Sequence, residues 1–466
     1  MPDERFEEHL RHPVGRGHVP AGAHAGAAGG AACGDLVTVA VAVRGDRVAD
    51  AGFDAAGCGA VQAAGSAAVA LVRGARVLDA ARAGTHAIAA ELGGLSPGKL
   101  HAAELASDAL ARALGAAVAA DGAGVRDEGR TLVAMSGGVD SAVAALRAGA
   151  DAATVTLELW RDPDNDGERS CCSASAVRTA RALAHDMGLA HFTLDLREAF
   201  RAGVVEPWLD DHAAGLTPNP CVRCNGAVRL DAMLDFADRI GAATLTTGHY
   251  ARRTADGLLR LAADPAKDQA YMLAGLQRQT LARLRFPLGE LTKTQVRAIA
   301  AEHGLPVATK PDSQDLCFLA GTGRAAFLAR HGGLGDRPGD VLDAGGNVLG
   351  RHRGAHHFTV GQRRGLDLGG TAAPLYVMAT DAGANTVTVG PRAALATRTV
   401  RVRDARLHAP GAEVQAVKLR YRSPAVACEL RGDTIALAEP VDGAAPGQTA
   451  VFLRGDAVLG CATIAG

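Results

Sequence analysis

The chain has 466 residues, with 49 Lys and Arg against 50 Asp and Glu, so a formal net charge of −1 does not indicate a nucleic-acid partner by bulk charge alone. It is 48% hydrophobic, which is enough for cores in roughly two to four domains, and it lacks the uncharged apolar run of about 18 residues that a membrane span needs. Nine cysteines without an export-signal pattern favour reactive thiolates or metal ligands over disulfides and predict a cytosolic protein.

The first region, residues 1–120, combines predicted strands and helices and is interpreted as an α+β domain. Period-two alternation predicts the strands, which a turn at Gly45-Asp46 separates, and helical spacing predicts the helices. The predicted elements lie at 36–43, 47–53, 60–72, 76–83 and 102–120. Residues 121–129 are polar and rich in glycine, and they are interpreted as a linker.

Residues 130–330 alternate strands with helices, which is typical of a doubly wound parallel sheet. The predicted strands lie at 131–135, 153–159, 191–195 and 243–247, with helices at 141–149, 173–187 and 226–239. Ligands of such sheets bind at the carboxyl ends of the strands. We therefore expect a ligand where the first of these strands ends.

The last region consists of short β-rich runs between Gly, Asp, Asn and Pro turns. Such runs occur at 375–379, 386–389 and 451–453. They predict a small central β domain at 331–390 and a C-terminal β-barrel at 391–466. The expected fold class is therefore a multidomain α/β protein: an α+β domain, a doubly wound parallel sheet, a small β domain and a barrel.

The most informative stretch is the octapeptide Ala-Met-Ser-Gly-Gly-Val-Asp-Ser at 134–141, which joins a predicted strand to a predicted helix. Such a turn directs backbone N–H groups at an anion, Ser136 and Ser141 add hydroxyl donors, and Gly137 and Gly138 permit the tight turn. No Lys follows the glycines, so this is not a Walker P-loop. The stretch resembles the pyrophosphate loop (PP-loop) of enzymes that split ATP into AMP and pyrophosphate. The alternative is a strand, turn and helix without a ligand.

A second group of residues contains cysteines. Cys221 and Cys224 follow the proline-rich segment 217–220, whose two prolines are expected to keep it out of helix and sheet. Cys224 is then expected near the start of the next helix, where the helix dipole lowers the pKa of a thiol. Cys317 lies in another polar loop, at 312–318. A Cys-x-x-Cys pair alone fits a redox dithiol, half a zinc site, part of an iron–sulfur site or two inert buried thiols.

Separate blocks along residues 130–466 together carry a resemblance to one family. They are Met-Ser-Gly-Gly-Val-Asp-Ser (135–141), Cys-Cys-Ser (171–173), Thr-Pro-Asn-Pro (217–220) with Cys224-Asn225, Gly-His-Tyr-Ala-Arg (248–252), Lys-Asp-Gln (267–269), Phe-Pro-Leu-Gly-Glu-Leu-Thr-Lys (286–293), Asp-Ser-Gln-Asp-Leu-Cys-Phe (312–318), Gly-Gln-Arg-Arg-Gly-Leu (361–366) and Arg-Tyr (420–421). In this order and spacing, the region resembles the MnmA family of tRNA-specific 2-thiouridylases over essentially its whole length.

The resemblance implies ATP-dependent 2-thiolation of the wobble uridine of tRNA. The C2 oxygen of the base attacks the α-phosphate of Mg²⁺-bound ATP and releases pyrophosphate; a sulfur nucleophile then attacks C2, and AMP leaves with the oxygen. Cys317 would carry the persulfide and Cys224 would be the other catalytic thiol. A cysteine desulfurase or another donor would supply the sulfur, and the base must leave its stack before the reaction.

The resemblance also implies the binding residues. For ATP they are Ala134, Met135, Ser136, Gly137, Gly138, Val139, Asp140 and Ser141, with Leu157 and Gly248 against the adenosine. For the base and the tRNA they are Asn219, Pro220, Cys221, Lys267, Asp268, Gln269, Arg420 and Tyr421.

One position departs from the family pattern. Many members have Asp where this chain has Cys221. Cys221, Cys224 and Cys317 could then hold a [4Fe–4S] cluster whose open iron binds the donated sulfide. The sequence leaves the persulfide route and the cluster route open.

The front region carries a second resemblance, on Cys33-Gly34-Asp35, Gly57-Cys58-Gly59 and Lys99-Leu100-His101. Residues 1–120 resemble the iron–sulfur scaffold family (IscU, or the N-terminal domain of NifU), which builds clusters on three cysteines with an assisting Asp. The third cysteine position is Ala102 here. Zinc or a labile iron–sulfur cluster would still suit the donor set Cys33, Asp35, Cys58 and His101. The alternative is a degenerate scaffold kept for docking a cysteine desulfurase.

The remaining polar residues and thiols allow only weaker interpretations. The arginines Arg398, Arg401, Arg403, Arg406, Arg420 and Arg422 are either phosphate contacts or solvated surface charge. The histidines His352, His356 and His357 are interpreted as structural or RNA-facing. Cys171 and Cys172 are interpreted as packing or loop residues, and Cys428 and Cys461, in β-rich runs, as buried small apolar residues.

Two other classes of function stay open from the sequence. The first is another PP-loop ATP-dependent ligase or amidotransferase that acts on a small molecule. The second is a non-catalytic iron–sulfur carrier that works through the front region without consuming ATP. No membrane partner is expected.

Overall fold

The protein is described here from a computed structural model, which covers residues 4–30, 34–162, 174–312, 316–366, 368–369, 373–409, 411 and 413–466. Cys33, Cys171, Cys172 and residues 313–315 lie outside the described residues. None of the described helices combines the length and the apolar character that a membrane crossing requires. The chain forms two compact units. The first holds Met1–Glu198, Asp231–His249 and Arg283–Phe318, and the second holds Ala199–Leu230, Tyr250–Ala282 and Leu319–Gly466.

Within its described residues, 4–30 and 34–120, the front region contains five α-helices and three strands. In chain order they are α1 (Glu4–Arg11), β1 (His24–Gly29), β2 (Leu36–Arg44), β3 (Arg47–Ala56), α2 (Gly59–Val72), α3 (Val77–Ala80), α4 (Thr85–Glu91) and α5 (Leu100–Asp121).

The middle of the chain alternates helices with strands as predicted. Its elements are β4 (Asp127–Ala134), α6 (Val139–Ala148), β5 (Ala153–Glu158), α7 (Ala174–Asp186), β6 (Ala190–Asp195), α8 (Arg197–Phe200), α9 (Glu206–Ala213), α10 (Pro220–Cys224), α11 (Leu230–Arg239), β7 (Ala242–Thr246), β8 (Arg252–Arg253), β9 (Leu259–Arg260), α12 (Ala270–Leu273), α13 (Arg278–Arg283), β10 (Leu284–Arg285) and α14 (Lys293–Glu302).

The last part of the chain is mostly strand. Its elements are α15 (Arg324–Gly332), β11 (Gly339–Leu342), β12 (Val348–His352), β13 (Leu375–Asp381), β14 (Thr386–Pro391), β15 (Ala396–Leu407), β16 (Ala416–Lys418), β17 (Val426–Arg431), β18 (Thr434–Asp442), β19 (Thr449–Arg454) and β20 (Ala457–Ile464).

The front region is an antiparallel sheet in the order β1-β2-β3, covered by helices. The strands and helices predicted from residue 36 onward are confirmed, although α3 is shorter than its predicted range. Strand β1 was not predicted, because its sequence His-Ala-Gly-Ala-Ala-Gly has no β-branched or aromatic residue. Its small residues serve close packing: a Cβ on Gly26 would lie 2.2 Å from the Ala109 carbonyl oxygen of α5.

The first unit also contains a five-stranded parallel sheet in the order β10-β7-β4-β5-β6. The four predicted strands are confirmed. Strand β10 has only two residues, which is too short for a sequence pattern to reveal. Strand β4 begins at Asp127, inside the segment interpreted as a linker, and the Asp127 N–H donates to the Gly241 carbonyl oxygen at 2.8 Å.

Strand β6 is an edge of this sheet, and elements of the front region pack on it. The His191 N–H of β6 donates to the Ala81 carbonyl oxygen at 2.9 Å. A Cβ on Gly115, in the middle of α5, would lie 2.1 Å from the Thr193 carbonyl oxygen, so the helix and strand backbones are in direct contact. The front region and the parallel sheet therefore belong to one compact unit.

The second unit contains two β structures. Strands β12-β11-β14-β13 form a four-stranded sheet. Strands β15-β18-β17-β16-β19-β20 close into a six-stranded barrel, because β20 pairs back onto β15, and the β8–β9 hairpin extends β20. Val417, Ile435, Phe452 and Leu459 are buried in the barrel core. The predicted small β domain and terminal barrel are confirmed.

Candidate functional site

The octapeptide forms the connection from β4 to α6, as predicted. Gly138, which has no side chain, is the N-cap of α6, so no N-cap side chain competes with an anion for the N–H groups of the first helical turn. Gly137 adopts a φ of 68°, and a Cβ there would lie 2.6 Å from the Ala176 carbonyl oxygen. The loop therefore requires glycine for both its backbone conformation and its close approach to α7.

The two serines of the loop bond to the loop itself. Ser141 Oγ accepts from the Ser136 N–H at 3.1 Å and donates to the Gly138 carbonyl oxygen at 3.0 Å. The Ser136 and Ser141 hydroxyl oxygens are 3.2 Å apart. In this structure, the serine hydroxyls predicted as anion donors brace the turn.

The two predicted adenosine contacts flank this loop. Gly248 follows β7, and a Cβ there would lie 2.8 Å from the Ser141 nitrogen. On the other side, the Met135 N–H donates to the Val155 carbonyl oxygen of β5 at 2.8 Å, and Leu157 lies two residues further along that strand. The carboxyl ends of β4, β5 and β7 thus bring together the residues predicted to bind ATP.

Two lysines that the sequence analysis missed extend to the loop. Lys293, the first residue of α14, places Nζ 2.7 Å from Asp140 Oδ1 and 2.8 Å from Asp312 Oδ1. Lys310 Nζ donates to the Gly137 carbonyl oxygen at 2.9 Å. These ammonium groups supply the positive charge that the loop sequence lacks. Their signal was available, because Lys293 ends the motif at 286–293 and Lys310 lies two residues before the motif at 312–318.

A potential metal-binding group lies in the front region. Asp35, Cys58 and His101 place one ligand atom each within 4.8 Å of one another. Asp35 Oδ2 is 3.6 Å from Cys58 Sγ and 3.1 Å from His101 Nε2. The pKa of Asp35 is lowered, chiefly because the Cys58 N–H donates to its carboxylate at 2.9 Å. A thiol, an imidazole and an ionised carboxylate this close form a donor set that suits zinc or iron.

The local structure explains how these three ligands meet. Asp35 directly precedes β2, Cys58 is the N-cap of α2, and His101 lies in the first turn of α5. Gly57, which directly precedes Cys58, has a φ of 128°, and a Cβ there would lie 2.0 Å from Asp35 Oδ1. Ala102, at the third cysteine position, is fully buried.

The expectation for the start of the Cys224 helix was wrong. The helix begins at Pro220, because proline is well suited to the first helical position, where an N–H is unbonded anyway. Asn219 is the N-cap, and its Oδ1 accepts from the Cys221 N–H at 3.1 Å. Cys221 therefore lies in the first turn and is half-buried. Cys224 ends this short helix, is only 6% exposed, and is followed by a π-helical turn at Asn225–Arg229.

The predicted tRNA contacts in the second unit gather around two tyrosines. The ring centroids of Tyr271 and Tyr421 are 5.9 Å apart. Burial raises the pKa of Tyr421, and Lys267 and Cys221 are among the groups that act on it electrostatically. Arg420, which follows β16, is exposed and donates to the Val360 carbonyl oxygen at 3.3 Å.

Two residues of this predicted set, Asp268 and Gln269, accept hydrogen bonds from backbone N–H groups with their side chains. Asp268 is 8% exposed, and its Oδ1 accepts from the Ala262 N–H at 2.9 Å. Gln269 Oε1 accepts from the Tyr250 N–H at 3.0 Å. Burial raises the pKa of Asp268. These two side chains therefore shape the turn that presents Lys267.

The three thiols proposed for sulfur chemistry are divided between the two units. Cys317 belongs to the first unit, together with the loop, and Cys221 and Cys224 belong to the second. None of the three forms a disulfide with another described cysteine. Their joint role stays a prediction from the resemblance.

Comparisons with known proteins cover nearly the whole chain. Models of four families match it: the NifU-like N terminal domain at residues 3–119, the tRNA methyl transferase HUP domain at 129–321, the tRNA methyl transferase PRC-barrel domain at 325–391 and the aminomethyltransferase beta-barrel domain at 397–464. A protein of Rubrobacter xylanophilus named bifunctional protein NifU/MnmA is 42% identical over 97% of this chain and 96% of its own length. The chain belongs to the bifunctional NifU/MnmA family.

Other relatives of this NifU/MnmA chain match one part of it. A tRNA-specific 2-thiouridylase MnmA of Salinispora arenicola is 47% identical over 72% of this chain and 99% of its own length. The crystal structure of an iron–sulfur cluster assembly scaffold protein from Fervidobacterium islandicum AW-1 aligns at 19% identity with a TM-score of 0.20, over 24% of this chain and 95% of that one. The family models and the two named relatives, at 42% and 47% identity, confirm the family resemblances inferred from the sequence motifs.

The other arginines, histidines and cysteines named in the sequence analysis are explained by their surface exposure, hydrogen bonds or burial. Arg401 and Arg403 of β15 are exposed, and Val400 and Val402 alternate with them into the barrel core. His352 is buried, and its Nδ1 accepts from the Gly354 N–H at 2.9 Å. Cys428 and Cys461 are half-buried and not fully buried as predicted, and partial burial raises the pKa of each thiol to about 11.

Proposed function

We propose that this chain catalyses the ATP-dependent 2-thiolation of the wobble uridine of tRNA. The observation that carries the proposal is the glycine loop at the carboxyl end of β4, with Gly248 against its helix and two lysines that contact Gly137 and Asp140. Membership of the NifU/MnmA family supports the reaction and its tRNA substrate. The front region alone would suit a carrier, but it does not account for this loop.

At the ATP end, the proposal uses the first unit. The N–H groups at the start of α6 and the ammonium groups of Lys293 and Lys310 would hold the phosphates and stabilise the leaving pyrophosphate. Asp140 and Asp312 offer the carboxylate oxygens that Mg²⁺ prefers. The C2 oxygen of the base attacks the α-phosphate, so a poor leaving group becomes the phosphate ester oxygen of AMP.

At the sulfur end, the proposal uses the three thiols. The terminal sulfur of a Cys317 persulfide forms a bond to C2, and AMP leaves with the former C2 oxygen. Cys224 then attacks the Cys317 sulfur and breaks the S–S bond to the transferred atom, which leaves a disulfide for an external thiol reductant to return to two thiols. In the alternative, Cys221 completes a three-thiolate cluster that delivers sulfide. Lys267, Arg420 and Tyr421 are proposed to contact the tRNA.

The test is the reaction of purified protein with ATP, Mg²⁺, unmodified tRNA and a sulfur source. For the persulfide route the source is a cysteine desulfurase with cysteine and a thiol reductant, and for the cluster route it is sulfide. We expect 2-thiouridine at the wobble position by nucleoside mass spectrometry, and one AMP for each thiolated base. ATP consumption that depends on a small molecule but not on tRNA would instead indicate another PP-loop ligase. Cluster transfer to an acceptor protein, without any ATP consumption, would indicate a carrier.

For the front region, we propose that Asp35, Cys58 and His101, with Cys33 as the fourth ligand, hold a metal ion. We expect about one Zn²⁺ per chain, bound at least about 10-fold more weakly after His101→Ala or Cys58→Ser, because each change removes a ligand. The measurement is competition for Zn²⁺ against a chromophoric chelator. Asp54→Asn, an exposed carboxylate on β3, is the matched control. Equal affinities in all four proteins would contradict the site.

A further inference from the structure

The front region carries a buried charged residue that extends into the parallel sheet. Arg112 lies on α5, and its guanidinium makes a bidentate pair with Glu158, with nitrogen–oxygen distances of 2.7 Å and 3.3 Å. It also lies 2.6 Å from Asp108 Oδ2, one helical turn earlier. Both partners of the Arg112–Glu158 pair are mostly buried, with side chains 20% and 18% exposed.

A second arginine completes this network from the other side. Arg181 of α7 pairs with the other oxygen of Asp108, and its side chain is almost fully buried. Burial disfavours the charge on Arg112, but the hydrogen bonds and charges of Glu158 and Asp108 outweigh it and raise the pKa of its guanidinium. Groups buried in this way hold one geometry, because breaking any pair leaves an uncompensated charge.

The network ends at the strand that flanks the ATP loop. Glu158 is the last residue of β5 and directly follows Leu157, the predicted adenosine contact. Two residues before Leu157, Val155 pairs with Ala134 and accepts the Met135 N–H. The outer neighbour of Glu158 is Asp195, at the end of the edge strand β6. The carboxyl end of β5 is therefore tied on one side to the loop and on the other to α5.

We propose that Arg112 is a positioning residue for ATP binding, which fixes the carboxyl end of β5 through Glu158. The inference rests on the proposed use of ATP at the loop. It makes the front region a structural part of the nucleotide site, in addition to the metal site proposed for it. Neither Arg112 nor Glu158 was singled out by the sequence motifs, because their pairing depends on the packing of α5 against the sheet.

The test measures the dissociation constant for ATP by calorimetry without tRNA, together with kcat and KM for ATP in the thiolation assay. Arg112→Gln and Glu158→Gln are each expected to raise the dissociation constant and KM about 10-fold, with kcat changed less than about twofold. The double variant should bind ATP no more weakly than the weaker single variant, because both changes break the same link.

Arg82→Gln is the matched control. Arg82 also docks the front region against the sheet, since its Nε donates to the Gly188 carbonyl oxygen at 3.1 Å, but it lies at the other end of β6. An equal loss of ATP affinity in Arg82→Gln would reduce Arg112 to a general docking residue and overturn the inference. Unchanged ATP affinity in both Arg112→Gln and Glu158→Gln would also overturn it. If the wild-type chain binds ATP but thiolates no tRNA, the proposed function fails while the binding data still decide the role of Arg112.

Discussion

Replacing Cys317 or Cys224 by serine is expected to lower 2-thiouridine formation, and with it AMP release, by about 10³-fold or more, while tRNA-dependent release of pyrophosphate in a single turnover falls less than about 10-fold. A hydroxyl is isosteric with a thiol but cannot carry a persulfide, bind iron as a thiolate or close a disulfide. Adenylation of the base uses the loop and its lysines, not these sulfurs. The measurement is thiolated nucleoside by mass spectrometry beside pyrophosphate release.

Cys428→Ser is the control for these variants, because this half-buried thiol on β17 has a pKa raised to about 11 and no proposed part in the reaction. Cys221→Asp then separates the two sulfur routes, since Asp is the residue that many family members have at this position. Retained activity in an iron-free preparation would establish the persulfide route. Loss of activity together with loss of iron and visible absorbance would establish the cluster route. Full thiolation in Cys317→Ser would contradict the sulfur chemistry altogether.

Lys310→Met is expected to slow pyrophosphate release by about 10²- to 10³-fold, which is the usual cost of removing a group that stabilises charge in a transition state. Its ammonium group donates to the Gly137 carbonyl oxygen. There it is proposed to supply the positive charge that the lysine of a Walker P-loop supplies. Lys293→Met is expected to lower the rate at least as much, because it also leaves Asp140 and Asp312 without their ammonium partner. The measurement is the single-turnover rate of pyrophosphate release with saturating tRNA.

The control for the lysine variants is Lys99→Met, an exposed lysine of the front region that lies over the Phe6 ring. It should leave the rate unchanged. Lys310→Met is the more decisive variant, since the lost contact is a single hydrogen bond to a backbone carbonyl and the fold should persist. A rate within about twofold of wild type in Lys310→Met would refute the charge role of this lysine.

Local sequence determined the parts of the site that lie on continuous segments. The octapeptide at 134–141 forms its loop with residues that are neighbours in the chain, and Gly248 belongs to a motif that directly follows a predicted strand. Lys293 and Lys310 could not be assigned in this way, because only tertiary packing brings them to Gly137 and Asp140. Asp268 illustrates a different gap: its motif suggested an RNA contact, whereas its carboxylate accepts backbone N–H groups of its own turn.

The fold class and the four-part architecture were also predictable, because they depend on patterns within continuous segments of the sequence. Periodic patterns of five or more residues identified the main strands, and the comparisons confirm the families and the tRNA-thiolation assignment. Strand β1 was not predicted because Ala and Gly have low strand propensity. The helix start at Pro220 was not predicted because the prolines were interpreted as breaking the helix. The roles of individual site residues stay predictions that the variants above test.

The contact of α5 with β6 also bears on how this enzyme can be divided. An edge strand exposes unpaired backbone groups to solvent and invites pairing with strands of other molecules. In this chain, the backbones of Gly115 and Ala81 shield that edge. A fragment that starts at Arg130 would lose this cover, and we expect it to aggregate more readily than the full chain. The contacts of Ala81 and Gly115 with β6 thus predict that the parallel-sheet half is more soluble with the front region than without it.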